Sequence, residues 1–207
     1  MIQVDASHYE FGRYYDKRRW ISLYHQIDTI LGCSPKSILE IGGGSGMLRL
    51  IMRNLGFSFY NLDIDESLRP DYIGSVTDMP LKDNMFDITC AFQVLEHLPY
   101  NDAIAALAEM SRVSSRFVLI SLPDAERRFP LAFYIPRYGL KYFSIMNLLK
   151  RGRSHKFDGQ HYWELNVKGI SEKKFLEDVS HIEGLVLRQV YRVPEHTYHR
   201  FFIFEIE

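Results

Sequence analysis

This chain of 207 residues lacks long hydrophobic runs, paired cysteines and an excess of either charge. Each absence excludes something. No apolar run reaches the roughly 18–20 residues that a membrane-spanning helix needs. The nearest candidate, residues 129–149, is interrupted by Pro130, Pro136, Arg137 and Lys141. The N-terminus, MIQVDASHYEFGRYYDKRRW, is polar from the start, so no leader peptide is expected. Cys33 and Cys90 lie in apolar segments without CxxC or histidine spacing. They read as reduced core thiols, which fits a cytoplasmic setting. A formal net charge of −1 gives no footprint for nucleic acid, and none is expected as a partner. No EF-hand, HExxH or Cys/His framework is present, so no metal is expected.

What is there is a globular composition, 46% hydrophobic and 25% charged, on a length that suits a single domain over residues 1–207. Residues 10–31 repeat apolar side chains at three- and four-residue steps, which predicts a helix stopped by Gly32 and Pro35. Strands are expected at 37–41, 57–62, 72–75, 86–92 and 117–122, with helices from Met47 to Leu55 and from Asn101 to Val113. Ser171 caps a further helix to Val179, and residues 185–193 and 201–206 form a closing antiparallel pair. Strands alternating with helices predict an α/β fold, a mostly parallel sheet with helices on both faces. Ligands in such sheets bind at the carboxyl ends of the strands. Glu40, the glycines after it, Asp63, Ser75, Gln93 and Pro123 all fall at those ends, so one rim should collect them.

The densest signal is SILEIGGGSGMLRL, residues 37–50. Gly42, Gly43, Gly44 and Gly46 leave a bare backbone that a ligand can approach closely. A dinucleotide fingerprint needs a third glycine for close helix–strand packing. Met47 or Arg49 stands there, depending on register, which weakens a nicotinamide reading. No GK[ST] follows, so a Walker loop fails as well.

The run Glu40-Ile41-Gly42-Gly43-Gly44-Ser45-Gly46 resembles the first motif of class I S-adenosylmethionine-dependent methyltransferases, in particular their type 11 domain. Asp63, in NLDID, stands about 17 residues past the loop, where that family places a ribose-binding acid. MPLKDNMFDITCAFQVLEHL, residues 79–98, is similar to the family's LPF-x-D-x-SFD stretch running into VLEHL. The likeness spans roughly Ile38 to Leu122. It implies a Rossmann-like, doubly wound sheet of seven strands with an antiparallel last strand, and S-adenosyl-L-methionine as cofactor. It also implies a cofactor set of Glu40, Gly42, Gly43, Gly44, Gly46, Asp63, Ile64 and Gln93. Where relatives carry an acid for the adenine, this chain has Ser75, so Ser75 or the Val76 main chain is expected to serve. Asp78 reads as a turn residue before Pro80.

The acceptor side is less determined. His97, in LEHL, is a catalytic candidate or a packing residue at a helix start. His161, Tyr162, Trp163 and Glu164 stand together in GQHYWELN, with His161 the second catalytic candidate and the other three substrate contacts or core. His196 and His199, in PEHTYHRFF, are further substrate candidates. Residues 123–165 form a variable insertion rich in aromatics and basic residues, with a short helix expected at 143–150. That segment suits a lid, a dimer contact, a peripheral membrane element at 129–149 or a small satellite core. The acceptor is expected to be a small molecule, with sugar- and lipid-linked compounds as candidates, and the oligomeric state is open. A non-catalytic cofactor-binding protein and, more weakly, a nicotinamide oxidoreductase stay as alternatives.

Overall fold

The structure, a computed structural model, describes Tyr9 and residues 11–146 and 154–207. Its elements in chain order are α1 (Phe11–Tyr14), α2 (Lys17–Gly32), β1 (Ser37–Ile41), α3 (Met47–Asn54), β2 (Ser58–Asp63), β3 (Tyr72–Ile73) and β4 (Phe86–Phe92). They continue with α4 (Tyr100–Val113), β5 (Ser114–Pro123), β6 (Arg128–Ile135), β7 (Gly139–Met146), α5 (Glu172–Val179), β8 (Leu185–Arg192) and β9 (His199–Ile206). Single 3₁₀ turns stand at Glu66–Leu68 and Leu95–His97.

Seven strands form one sheet in the order β3-β2-β1-β4-β5-β9-β8. The first five pair in parallel, and β9 runs antiparallel to both β5 and β8. This is the doubly wound arrangement that strand–helix alternation predicts. Side chains alternate across a strand with period two, so each buried strand feeds two cores. On β1, Ile38 packs with Leu23, Ile30, Leu48 and Met52 of α2 and α3. Leu39 and Ile41 pack on the other face with Ala106, Leu107 and Phe175 of α4 and α5. β5 divides in the same way, Leu119 to the first face and Val118, Ile120 and Leu122 to the second. Cys90 is buried and Cys33 half-buried, both as free thiols.

Two expectations need correction. The predicted helix over residues 10–31 is broken into α1 and α2. Asp16 takes extended geometry and its carboxylate accepts from the Arg19 N–H at 2.9 Å, starting a new helix. A short acidic side chain competes for backbone donors in this way, and apolar periodicity does not register it. The predicted helix at 143–150 is instead β7 as far as Met146, paired residue for residue with β6; the remainder lies outside the described residues. Aromatic and branched side chains crowd both strands, which favours extended backbone. On this hairpin Phe129, Phe133, Tyr134, Tyr138, Phe143 and Ile145 are all exposed.

Candidate functional site

The carboxyl ends of β1, β2 and β4, with the turn after β3, open onto one cavity of about 750 Å³. That is a typical size for a ligand pocket. One wall is built from the sequence around β1 and β2. Gly42 and Gly44 have left-handed backbone, and a Cβ on either would meet Val94 or Tyr9 at 2.9 Å. A Cβ on Gly43 would stand 2.9 Å from Glu40 Oε2 and 3.0 Å from Asn61 Nδ2. The bareness of the loop is therefore required by the protein's own packing as well as by any ligand. Gly46, in left-handed geometry, starts α3 and does not line the cavity.

Glu40 is buried under this loop, and its Oε2 has no hydrogen-bond partner among the described residues. Burial pushes its carboxyl up to about 8; Arg49 opposes the rise and Asp63 adds to it. An unpartnered buried carboxylate oxygen is costly, so a cationic hydrogen-bond donor bound there would relieve it. Asp63 is half-buried and also raised by desolvation, although the Asp65 and Ile64 N–H groups oppose the rise. Asp63 Oδ1 accepts from the Asp65 N–H at 3.0 Å. Ile64, Ser75 and Val76 line the same wall, with Ser75 Oγ 2.8 Å from Thr77 Oγ1. Gln93 follows β4 with a φ of 58°, a strained value for a residue with a side chain, and lines the cavity. Its side-chain amide donates to Ser121 Oγ at 3.1 Å.

The facing wall comes from four separate stretches of chain. His97 and His161 both line it, with ring centroids 5.0 Å apart and edge to face. Three contacts zip residues 160–163 to the turn after β4. His97 Nδ1 donates to the Gln160 carbonyl at 3.0 Å, the Tyr162 N–H donates to the Glu96 carbonyl at 2.8 Å, and Trp163 Nε1 donates to the Leu98 carbonyl at 3.1 Å. Burial lowers the His97 pKa. Burial also works against protonated His161, but the Glu164 hydrogen bond with Glu96 and Asp158 outweighs it and the net shift is upward. Glu164 Oε1 lies 3.3 Å from His161 Nδ1 and accepts from the Tyr198 hydroxyl at 2.5 Å. His196 and His199 line the wall with rings 4.2 Å apart, and Ser22 Oγ lies 2.8 Å from His199 Nδ1. Burial, with His196 and Arg19 adding, pushes His199 down to about 3, so it is neutral.

Residues 39–116 match the family model described as a methyltransferase domain. The sheet order, with β9 antiparallel, is that of the class I methyltransferase fold. No curated protein matches it. Among solved structures it is similar to a protein from Pyrococcus horikoshii OT3, at 12% identity over 99% of this chain and 100% of that one, with a TM-score of 0.63. It is similar to the glycopeptide N-methyltransferase MtfA complexed with S-adenosyl-L-homocysteine, at 11% identity over 94% and 91% of the two chains and a TM-score of 0.61. A third is the 1,6-didemethyltoxoflavin-N1-methyltransferase of Burkholderia thailandensis with bound 1,6-didemethyltoxoflavin and S-adenosylhomocysteine, at 15% identity over 97% and 84% and a TM-score of 0.62. At these identities the likeness is one of fold. Among the described residues, no helix is long and apolar enough to cross a membrane.

The fold thus brings Glu40, Gly42, Gly43, Gly44, Asp63, Ile64, Ser75, Val76, Gln93, His97, His161, Tyr162, His196 and His199 onto one cavity. Trp163, expected against the acceptor, is in the core. It is 2% exposed and packs edge to face on Tyr100 with centroids 5.1 Å apart. Burying so large a ring with its N–H satisfied outweighs leaving it at the rim. Glu164 stands behind His161, outside the lining. The expected lid contributes Gln160, His161 and Tyr162, while β6 and β7 contribute nothing to the lining. Sequence reasoning missed the N-terminal cover. Tyr9, Tyr14, Tyr15 and Arg19 line the cavity, with Tyr15 hydrogen-bonded to Ser45 and the Arg19 guanidinium 3.7 Å over the Tyr14 ring. The clustered tyrosines of YEFGRYYDKRRW were the available signal. Glu96 and Tyr198 were missed too.

Proposed function

We propose that this chain transfers a methyl group from S-adenosylmethionine to a small polar acceptor held against the histidine wall. The observation that carries it is Glu40, a buried carboxylate with an unpartnered oxygen under the glycine loop, one strand away from Asp63 on the same cavity. Bound S-adenosylmethionine supplies a methyl carbon made electrophilic by its sulfonium. Glu40 would hold the α-ammonium by a charge-assisted hydrogen bond, and Asp63 would accept from the ribose hydroxyls. Ser75 and Val76 would face the adenine. His97 and His161 stand where an acceptor's nucleophile would be oriented and activated. Tyr162, His196 and His199 offer the acceptor aromatic surface and hydrogen bonds.

Calorimetric titration of the full chain with S-adenosylhomocysteine is expected to give micromolar-range affinity. No binding at millimolar cofactor would overturn the reading. Steady release of demethylated cofactor in an acceptor screen is expected, and its absence across sugar- and lipid-linked hydroxyl compounds would favour a binding protein.

The hairpin of β6 and β7 supports a lipid-linked acceptor at an anionic bilayer surface. From Arg127 to Phe157 the sequence holds eight Lys or Arg and no acid, so a second copy of this face would meet like charge. Co-sedimentation with vesicles containing phosphatidylserine is expected and should fall in 1 M salt. Equal sedimentation with neutral vesicles would remove the electrostatic argument.

A further inference from the structure

One group on the histidine wall is left without a function by methyl-donor binding. Glu96 follows β4 in the 3₁₀ turn at Leu95–His97 and is fully buried. Neither carboxylate oxygen has a hydrogen-bond partner among the described residues, although the residue lines the cavity. Leaving a carboxylate in that state costs several kcal/mol unless a proton or a cation joins it. Two imidazoles share its surroundings. One ligand-type atom from each of Glu96, His97 and His161 lies within 4.8 Å of the other two.

We propose that Glu96, His97 and His161 form a divalent-cation site on this wall, best matched to zinc. Two imidazoles and one carboxylate are a donor set that zinc takes in catalytic centres, with a further position open. Ligands 2.0–2.2 Å from one tetrahedral ion lie about 3.3–3.6 Å apart, so closure draws the three atoms together by up to about 1.5 Å. Both rings have at Nδ1 the outer hydrogen-bond partner that metal-bound imidazoles have. His97 Nδ1 must donate to the Gln160 carbonyl, which places the ring's lone pair on Nε2. His161 Nδ1 faces the Glu164 carboxylate, itself held by Tyr198, which places the His161 lone pair on Nε2 too. An outer carbonyl on one imidazole and an outer carboxylate on the other are the supports that fix ligand tautomers.

The site escapes sequence inspection because Glu96 and His97 are adjacent while His161 arrives from a distant loop. The open position faces the cavity, where an acceptor hydroxyl could reach it. The ion would lower that hydroxyl's pKa, the proton leaving to bulk water. The oxygen would then bond to the methyl carbon as the carbon–sulfur bond breaks with its electron pair going to sulfur. This role rests on the function proposed above; the binding site itself does not.

The test is titration of the full, chelator-treated chain with Zn²⁺ alone, and with Co²⁺ to read visible absorption bands. One ion per chain is expected, with affinity reduced at least tenfold in E96Q and in H161Q. E164Q, which alters only the outer support, should lose roughly tenfold. S-adenosylhomocysteine binding measured on the same variants reports whether the fold and donor wall are intact. Zinc affinity unchanged in E96Q or H161Q, with cofactor binding retained, would overturn the site and leave His97 and His161 to act as direct proton acceptors. Zinc binding without any cofactor binding would instead overturn the proposed function and leave the site standing.

Discussion

The two walls of the cavity are built in different ways. The wall proposed for the methyl donor comes from strand ends and the turns that immediately follow them, Glu40 to Ser45, Asp63 to Asp65 and Gly74 to Thr77. Parallel pairing of β1, β2 and β3 brings these stretches together through backbone register alone. The wall proposed for the acceptor is assembled from the N-terminal helices, the turn after β4, the loop at 160–162 and the turn before β9. Its members meet through side-chain contacts such as Ser22 with His199 and His97 with Gln160. Ladder geometry tolerates sequence change well, whereas side-chain zipping can be re-cut by single substitutions.

The largest expected effect is on the acceptor wall. Trp163→Ala removes a buried ring and the tie to Leu98, and should cost about 3–5 kcal/mol of stability in denaturant unfolding. If the walls are independent, cofactor affinity measured where the variant is still folded stays within a fewfold of the parent. Coupled loss of both would break the distinction. Next is Asp63→Ala, which should weaken S-adenosylhomocysteine more than tenfold, about 2 kcal/mol, as expected for lost hydrogen bonds to a charged group. Unfolding should change far less, and an unchanged affinity would remove the ribose role.

Glu40 gives a pH-resolved test. Its folded carboxyl sits at about 8, above the ordinary glutamate value of 4.5 that holds in the unfolded chain. The folded state therefore holds the proton more tightly. This contribution to stability is fully present below the unfolded value and is lost as pH rises through the folded one. Between those limits the slope is about 1.4 kcal/mol per pH unit. The charged and titratable groups facing Glu40 include Arg49, Asp63, Tyr14, Tyr15 and Cys90. Glu40→Gln should remove this slope, so its stability relative to the parent rises from pH 5 to pH 8, while cofactor affinity falls. Parallel pH curves for the two proteins would show that Glu40 stays ionised in the fold. The smallest effect belongs to Tyr198→Phe, which deletes one hydrogen bond to Glu164 and should cost about 1 kcal/mol in thermal unfolding. Cofactor affinity should be untouched, and a shift there would tie the walls together through Glu164.

Most of the sheet was legible because buried parallel strands are short, continuous and apolar. Ser37–Ile41 and Phe86–Phe92 have the bounds that pattern predicts. The donor wall was legible for the same reason, since its residues follow strands within a few positions. The break at Asp16 was not, because one capping side chain outweighed an otherwise continuous apolar period. The hairpin at 128–146 was missed because both its faces are apolar and aromatic, so neither the helical nor the strand period stands out. Glu96 was passed over as a companion of His97, since nothing local shows that its carboxylate is buried without a partner.

By itself the sequence determined the strand order of events along the chain, the bare loop after β1, and the acids that close β1 and β2. Those features depend on residues within a few positions of one another, where propensity and spacing act directly. Only the tertiary structure decided that Tyr9 and Arg19 cover the cavity, that Trp163 is core, and that Glu96, His97 and His161 converge. Those outcomes depend on which distant side chains can be desolvated together, and burial is a property of the packed whole.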